Sequence, residues 1–106
     1  MIRENPMKFY EEPPYYEKTI LSDLQGGWQN LRQAVVENHP FPGSDKLLFH
    51  IDEAMSWESV RNLGQMRNTL LLIQNLALTN HAPEDVVEWI EDVADTLKEL
   101  LENGVN

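Results

Sequence analysis

Cysteine is absent from this 106-residue chain, basic residues are scarce, and no apolar run is long. Without thiols there can be no disulfide, no thiolate metal site and no cysteine nucleophile. Eight lysines and arginines, scattered along the chain, stand against eighteen acids, giving a net charge of −10. A surface of that sign repels phosphate, so direct nucleic-acid binding is not expected. The longest apolar stretch, Leu70 to Ile73, is far short of the ~20 residues that span a bilayer. The first residues also lack the apolar segment of a signal peptide. The expectation is a soluble, cytoplasmic protein with no membrane partner.

Catalytic patterns are missing as well. Ser44, Ser56 and Ser59 sit in no Gly-x-Ser-x-Gly elbow, Gly26-Gly27 and Gly43 match no phosphate-binding fingerprint, and no Glu-x-x-His occurs. His50, Asp52 and Glu53 come nearest to a cluster, yet only His50 and Glu53 share a helical face, and a metal needs three or four ligands. No catalytic residue, cofactor or metal site is therefore expected.

What the chain does have is one-sided charge. Residues 1–45 carry seven acids and four bases, residues 46–79 three of each, and residues 80–106 eight acids and one base, Lys98. The last quarter thus supplies −7 of the −10. Hydrophobic content of 42% with 25% charged residues is ordinary for a folded domain, and this length allows one core.

The apolar spacing predicts an all-α fold: a small bundle of three main helices plus one short helix, preceded by an extended Pro/aromatic N-terminal arm. The arm is placed at residues 1–18, because Pro6, Pro13 and Pro14 bias their neighbours away from helix. Phe9, Tyr10, Tyr15 and Tyr16 lie along it, to pack on a core or to meet a partner. The helical domain is placed at residues 19–106. Its first helix, about 22–38, follows a capping signal at Ser22-Asp23-Leu24-Gln25 and carries Leu24, Trp28, Leu31 and Val35 on one face. A short helix at about 45–55 is capped by Ser44-Asp45. A long one at about 57–79 starts from Ser56, and a last one at about 83–103 begins with Pro83.

Two surfaces follow from this reading. On the last helix Val86, Ile90, Val93, Leu97 and Leu100 form the apolar stripe, which leaves Glu84, Glu88, Glu91, Asp92, Asp95, Glu99 and Glu102 outside as an acidic face. Leu70 to Leu78 is apolar nearly all round, more than three companion helices can cover, and a homodimer through it is expected. The functional expectation is a non-enzymatic protein–protein interaction module, an inhibitor, adaptor or nucleic-acid mimic that holds a basic partner surface. The alternative is a small all-helical ligand- or metal-binding enzyme with a pocket among Trp28, Trp57, Trp89 and His50/Asp52/Glu53.

Overall fold

The computed structural model describes residues 15–102, with side chains from residue 20 onward. Four helices follow one another, α1 (Tyr15–Asn38), α2 (Ser44–Ser59), α3 (Leu63–Thr79) and α4 (Glu84–Glu102), and no strand occurs among the described residues. Short turns make each helix antiparallel to the next, giving an up-down-up-down bundle. Packing is most extensive between α1 and α4 and between α2 and α3. It is least extensive between α3 and α4.

One core runs through all four helices. Ile20, Leu21, Leu24, Trp28, Leu31 and Val35 of α1 meet Leu47 and Ile51 of α2, Leu63, Met66, Leu70 and Ile73 of α3, and Val86, Ile90, Val93, Leu97 and Leu100 of α4. Trp28 lies at its centre with no exposed surface, and its indole N–H donates to the Met66 sulfur at 3.3 Å. The largest side chain is thereby buried without an orphaned donor.

The predicted helices are all present, but their boundaries move. α1 starts at Tyr15, so Tyr15 to Lys18 belong to a helix and not to the arm. The reason is directional: a proline restricts the residue before it, and Pro13-Pro14 leave residue 15 free to turn. Ile20 and Leu21 extend the core stripe ahead of Ser22, which sits exposed in mid-helix and caps nothing. Residues 1–14, with Phe9 and Tyr10, and residues 103–106 lie outside the described residues.

The second boundary also shifts. α2 continues through Ser56 and Trp57 to Ser59, and the break falls at Val60-Arg61-Asn62. Val60 is 65% exposed there, although its spacing suits the stripe of the following helix. Arg61 adopts φ 58°, Asn62 returns its N–H to the Trp57 carbonyl, and the Asn62 side chain accepts the Gln65 N–H at 3.2 Å. Asn62 is thus the true cap of α3, a role that asparagine fills as well as serine.

At the α1–α2 turn the cap moves the other way, one residue earlier than predicted. Gly43, at φ 83°, precedes the helix and accepts the Leu47 N–H through its carbonyl. Ser44 is the first helical residue, buried, with its hydroxyl accepting the Phe41 N–H at 3.2 Å. The helix start is therefore held by a left-handed glycine rather than by a Ser or Asp side chain.

Gly26 and Gly27 differ in what they do. A Cβ on Gly27 would meet Val93 Cγ2 at 3.1 Å, so this buried glycine sets how closely α1 approaches α4. Nothing lies within 4 Å of a Cβ on Gly26. Gly26→Ala is therefore expected to stabilise the protein by about 0.5–1 kcal/mol through helix propensity and a less disordered unfolded chain. A rise in the urea midpoint with unchanged slope would show it. A fall in the midpoint would mean that α1 is not regular helix at this point.

Candidate partner-binding surface

Pro83, predicted as the first helical residue, instead immediately precedes α4; its carbonyl accepts the Val87 N–H, and the first turn of the helix carries Glu84 and Asp85 where the helix dipole favours negative charge. Asp85 is occupied structurally. Its carboxylate accepts the Asn38 side-chain amide at 3.0 Å and the Val86 N–H at 3.0 Å, which ties α4 to the end of α1.

The remaining acids divide by helical spacing. Val86, Ile90, Val93, Leu97 and Leu100 are buried, and Glu84, Glu88, Glu91, Asp95 and Glu102 lie on the opposite side, all exposed. They form one band along the helix, with Glu99 exposed beside it. Asp92 is turned further round, on the α1 flank beside Gly27, and its carbonyl accepts the Thr96 hydroxyl. Six of the seven acids predicted as a face thus lie on or beside the band, and Asp92 borders the α1–α4 seam. Lys98, the one base of α4, is exposed at the band's other edge.

Beside the band, α3 and α4 part. Two clefts that meet at Gln74 form a groove along their seam: Leu70, Leu71, Ala94, Leu97 and Leu101 line one, and Ala77, Leu78, Val87 and Ile90 the other. Arg67, Lys98 and Glu102 stand at the first end, and Glu91 stands beside the second cleft. The apolar segment Leu70 to Leu78 is resolved into two roles. Leu70, Ile73 and Ala77 enter the core, while Leu71 and Leu72 are half exposed and Leu78 is 76% exposed. Leu71 and Leu78 flank the groove; Leu72, by helical spacing, lies on the α2 side. A leucine three-quarters in water at the lip of an apolar groove marks incomplete cover.

The residues of the alternative pocket line neither of these two clefts. Trp28 is core, Trp57 and Trp89 pack against the core from its edges, and no tryptophan lines either cleft. Asp52 pairs with Arg32 at 2.8 Å, which holds that guanidinium above its ordinary pKa, whereas His50 bonds Glu53 at 3.0 Å. No group of three histidine or carboxylate side chains that could hold a metal occurs among the described residues. No described helix is long and apolar enough to cross a membrane.

The start of α1 carries Tyr15 and Tyr16 in its first turn. Sequence reasoning missed the groove, although the sequence holds a signal for it: Val87, Ala94 and Leu101 widen the apolar stripe of α4 on one flank, three small or aliphatic residues where the other flank has Trp89. No protein-family model, curated protein or solved structure matches the chain significantly, so the functional reading rests on its own residues.

Proposed function

We propose that this chain is a non-enzymatic interaction module whose outer α4 face holds a basic protein surface. The observation that carries the reading is the band of Glu84, Glu88, Glu91, Asp95 and Glu102, exposed along a single helix whose only base is Lys98. Bundle stability asks only that this side be polar. One sign sustained over five turns is more than solubility requires, and it creates a field that draws a cationic partner from a distance. Inhibitor, adaptor and nucleic-acid mimic are forms of this one mechanism, since each presents spaced anionic oxygens to a basic site.

Neutralising the band tests it. Captured with the full chain as bait at low salt, the partner is expected to be lost, with affinity falling at least about tenfold, for Glu84→Gln/Glu88→Gln/Asp95→Asn. It should also be lost for the wild type at high salt, where the Debye length shrinks to about 3 Å at 1 M. Competition by DNA for the captured protein would identify the mimic form. Capture that is indifferent to both charge and salt would sink the proposal.

A further inference from the structure

We propose that the α3/α4 groove is a self-association face, filled by the same groove of a second copy running antiparallel to it. This goes beyond the acidic-band reading and shares only Glu91 with its argument, at the edge where band and groove meet. The occupant follows from the order of residues along the groove. On α4 the flank facing the groove reads Val87, Glu91, Ala94, Lys98, Leu101, spaced four, three, four and three. That order is self-complementary when reversed about Ala94: apolar against apolar, acid against base, and the small residue against itself.

The physical consequences come from a two-fold axis that crosses both helices at right angles near the groove's midpoint. Lys98 of one copy then faces Glu91 of the second, Val87 faces Leu101 of the second, and the two Ala94 residues let the α4 helices approach closely. On α3 the same operation sets Leu71 against Gln74 of the second copy and spreads the exposed Leu78 over the stem of its Arg67. The other two-fold, with its axis along the helices, would gather both copies of Arg67, Lys98 and Glu102 at one end, four cations against two acids, and leave Lys98 without Glu91 of the second copy. It is disfavoured for that reason.

Size sets the strength. Seventeen residues of α3 make a face about 25 Å long. Two helices about 9 Å apart give it a width of about 20 Å, or roughly 500 Å² per copy. The total of about 1,000 Å² stands at the lower bound of specific interfaces, where a weak, reversible dimer is expected.

Sedimentation velocity of the full chain across a concentration series measures it. Wild type is expected to pass from monomer to dimer, Leu78→Glu to remain monomeric, and Lys98→Glu and Glu91→Lys each to weaken the dimer about tenfold or more. The combined Lys98→Glu/Glu91→Lys chain is expected to recover the dimer, because the swap restores both pairs with their signs exchanged. All three positions are exposed, and circular dichroism on the same samples verifies folding. The proposal is overturned by a wild type that stays monomeric at every concentration, which would assign the groove to another occupant. It is also overturned by Leu78→Glu dimerising like wild type, or by a charge swap without recovery. Partner capture in the previous test uses Glu84, Glu88 and Asp95, none of them in the groove, so either reading can fail alone.

Discussion

Trp28→Ala is expected to destabilise the protein by about 3–5 kcal/mol, the range for removing a fully buried large aromatic side chain. Trp28 has no exposed surface and touches the core where α1 faces α3, so the bundle can close the void only by moving whole helices. Two losses add. The apolar contacts disappear, and the Met66 sulfur loses the indole N–H that it accepts at 3.3 Å. A domain of this length has about 5–15 kcal/mol in hand, so such a loss is a large share of the total. Urea unfolding with Trp28→Phe as a companion separates the parts: phenylalanine keeps most of the volume and should lose clearly less. A loss below about 1 kcal/mol for alanine would show that the site is not packed as described.

Gly43→Ala is the second large effect, expected at about 2 kcal/mol. Gly43 stands at φ 83°, where an L side chain meets backbone strain, and its Cβ would lie 2.7 Å from the Asn80 Nδ2. Asn80 cannot simply swing away without loss, because that amide donates to the Leu76 carbonyl at 3.0 Å and closes the end of α3. The same substitution in an Asn80→Ala background removes the overlap and leaves the strain. Gly43→Ala is therefore expected to be milder there by about 1 kcal/mol, a coupling that a double-mutant cycle reads directly. Equal effects in both backgrounds would assign everything to the backbone. No effect in either would contradict the left-handed turn.

The two positions show unequally in the sequence. Trp28 was legible as core, since Leu24, Trp28, Leu31 and Val35 repeat at helical spacing. Gly43 follows Pro42, so a turn was evident, but its service as helix start in place of Ser44-Asp45 was not. Serine, aspartate and glycine are all acceptable before a helix, and the choice among them is made by φ and by what packs alongside.

The misplaced α2–α3 boundary has a similar cause. Ser56 is a competent cap, and Trp57, Val60 and Leu63 continue the rhythm of the stripe beyond it. Local signals therefore supported a break at 56. The observed break at 60–62 ends α2 one turn later and places Val60 in solvent. Two helices of 16 and 17 residues span the bundle side by side, which a helix of eleven beside one of twenty-three would not. Length matching between neighbours is a tertiary condition, and no local propensity encodes it.

The candidate surface divides along the same line. That the acids of α4 lie outside is a property of the sequence, because Val86, Ile90, Val93, Leu97 and Leu100 claim one side of a 3.6-residue period and leave the other to charge. Which flank of that helix borders an open groove, and that Asp85 and Asp92 are turned toward α1, depended on where the other helices stand.

By itself the sequence determined an all-helical chain, the composition of each apolar stripe and the sign of its last surface, because periodicity and charge are carried by the residues in order. The tertiary structure alone decided that α1 closes tightly on α4 at Gly27 while α3 stands off from it, leaving Leu71 and Leu78 uncovered. A helix presents its flanks equally to either neighbour, and only the packing of all four decides which flank is covered.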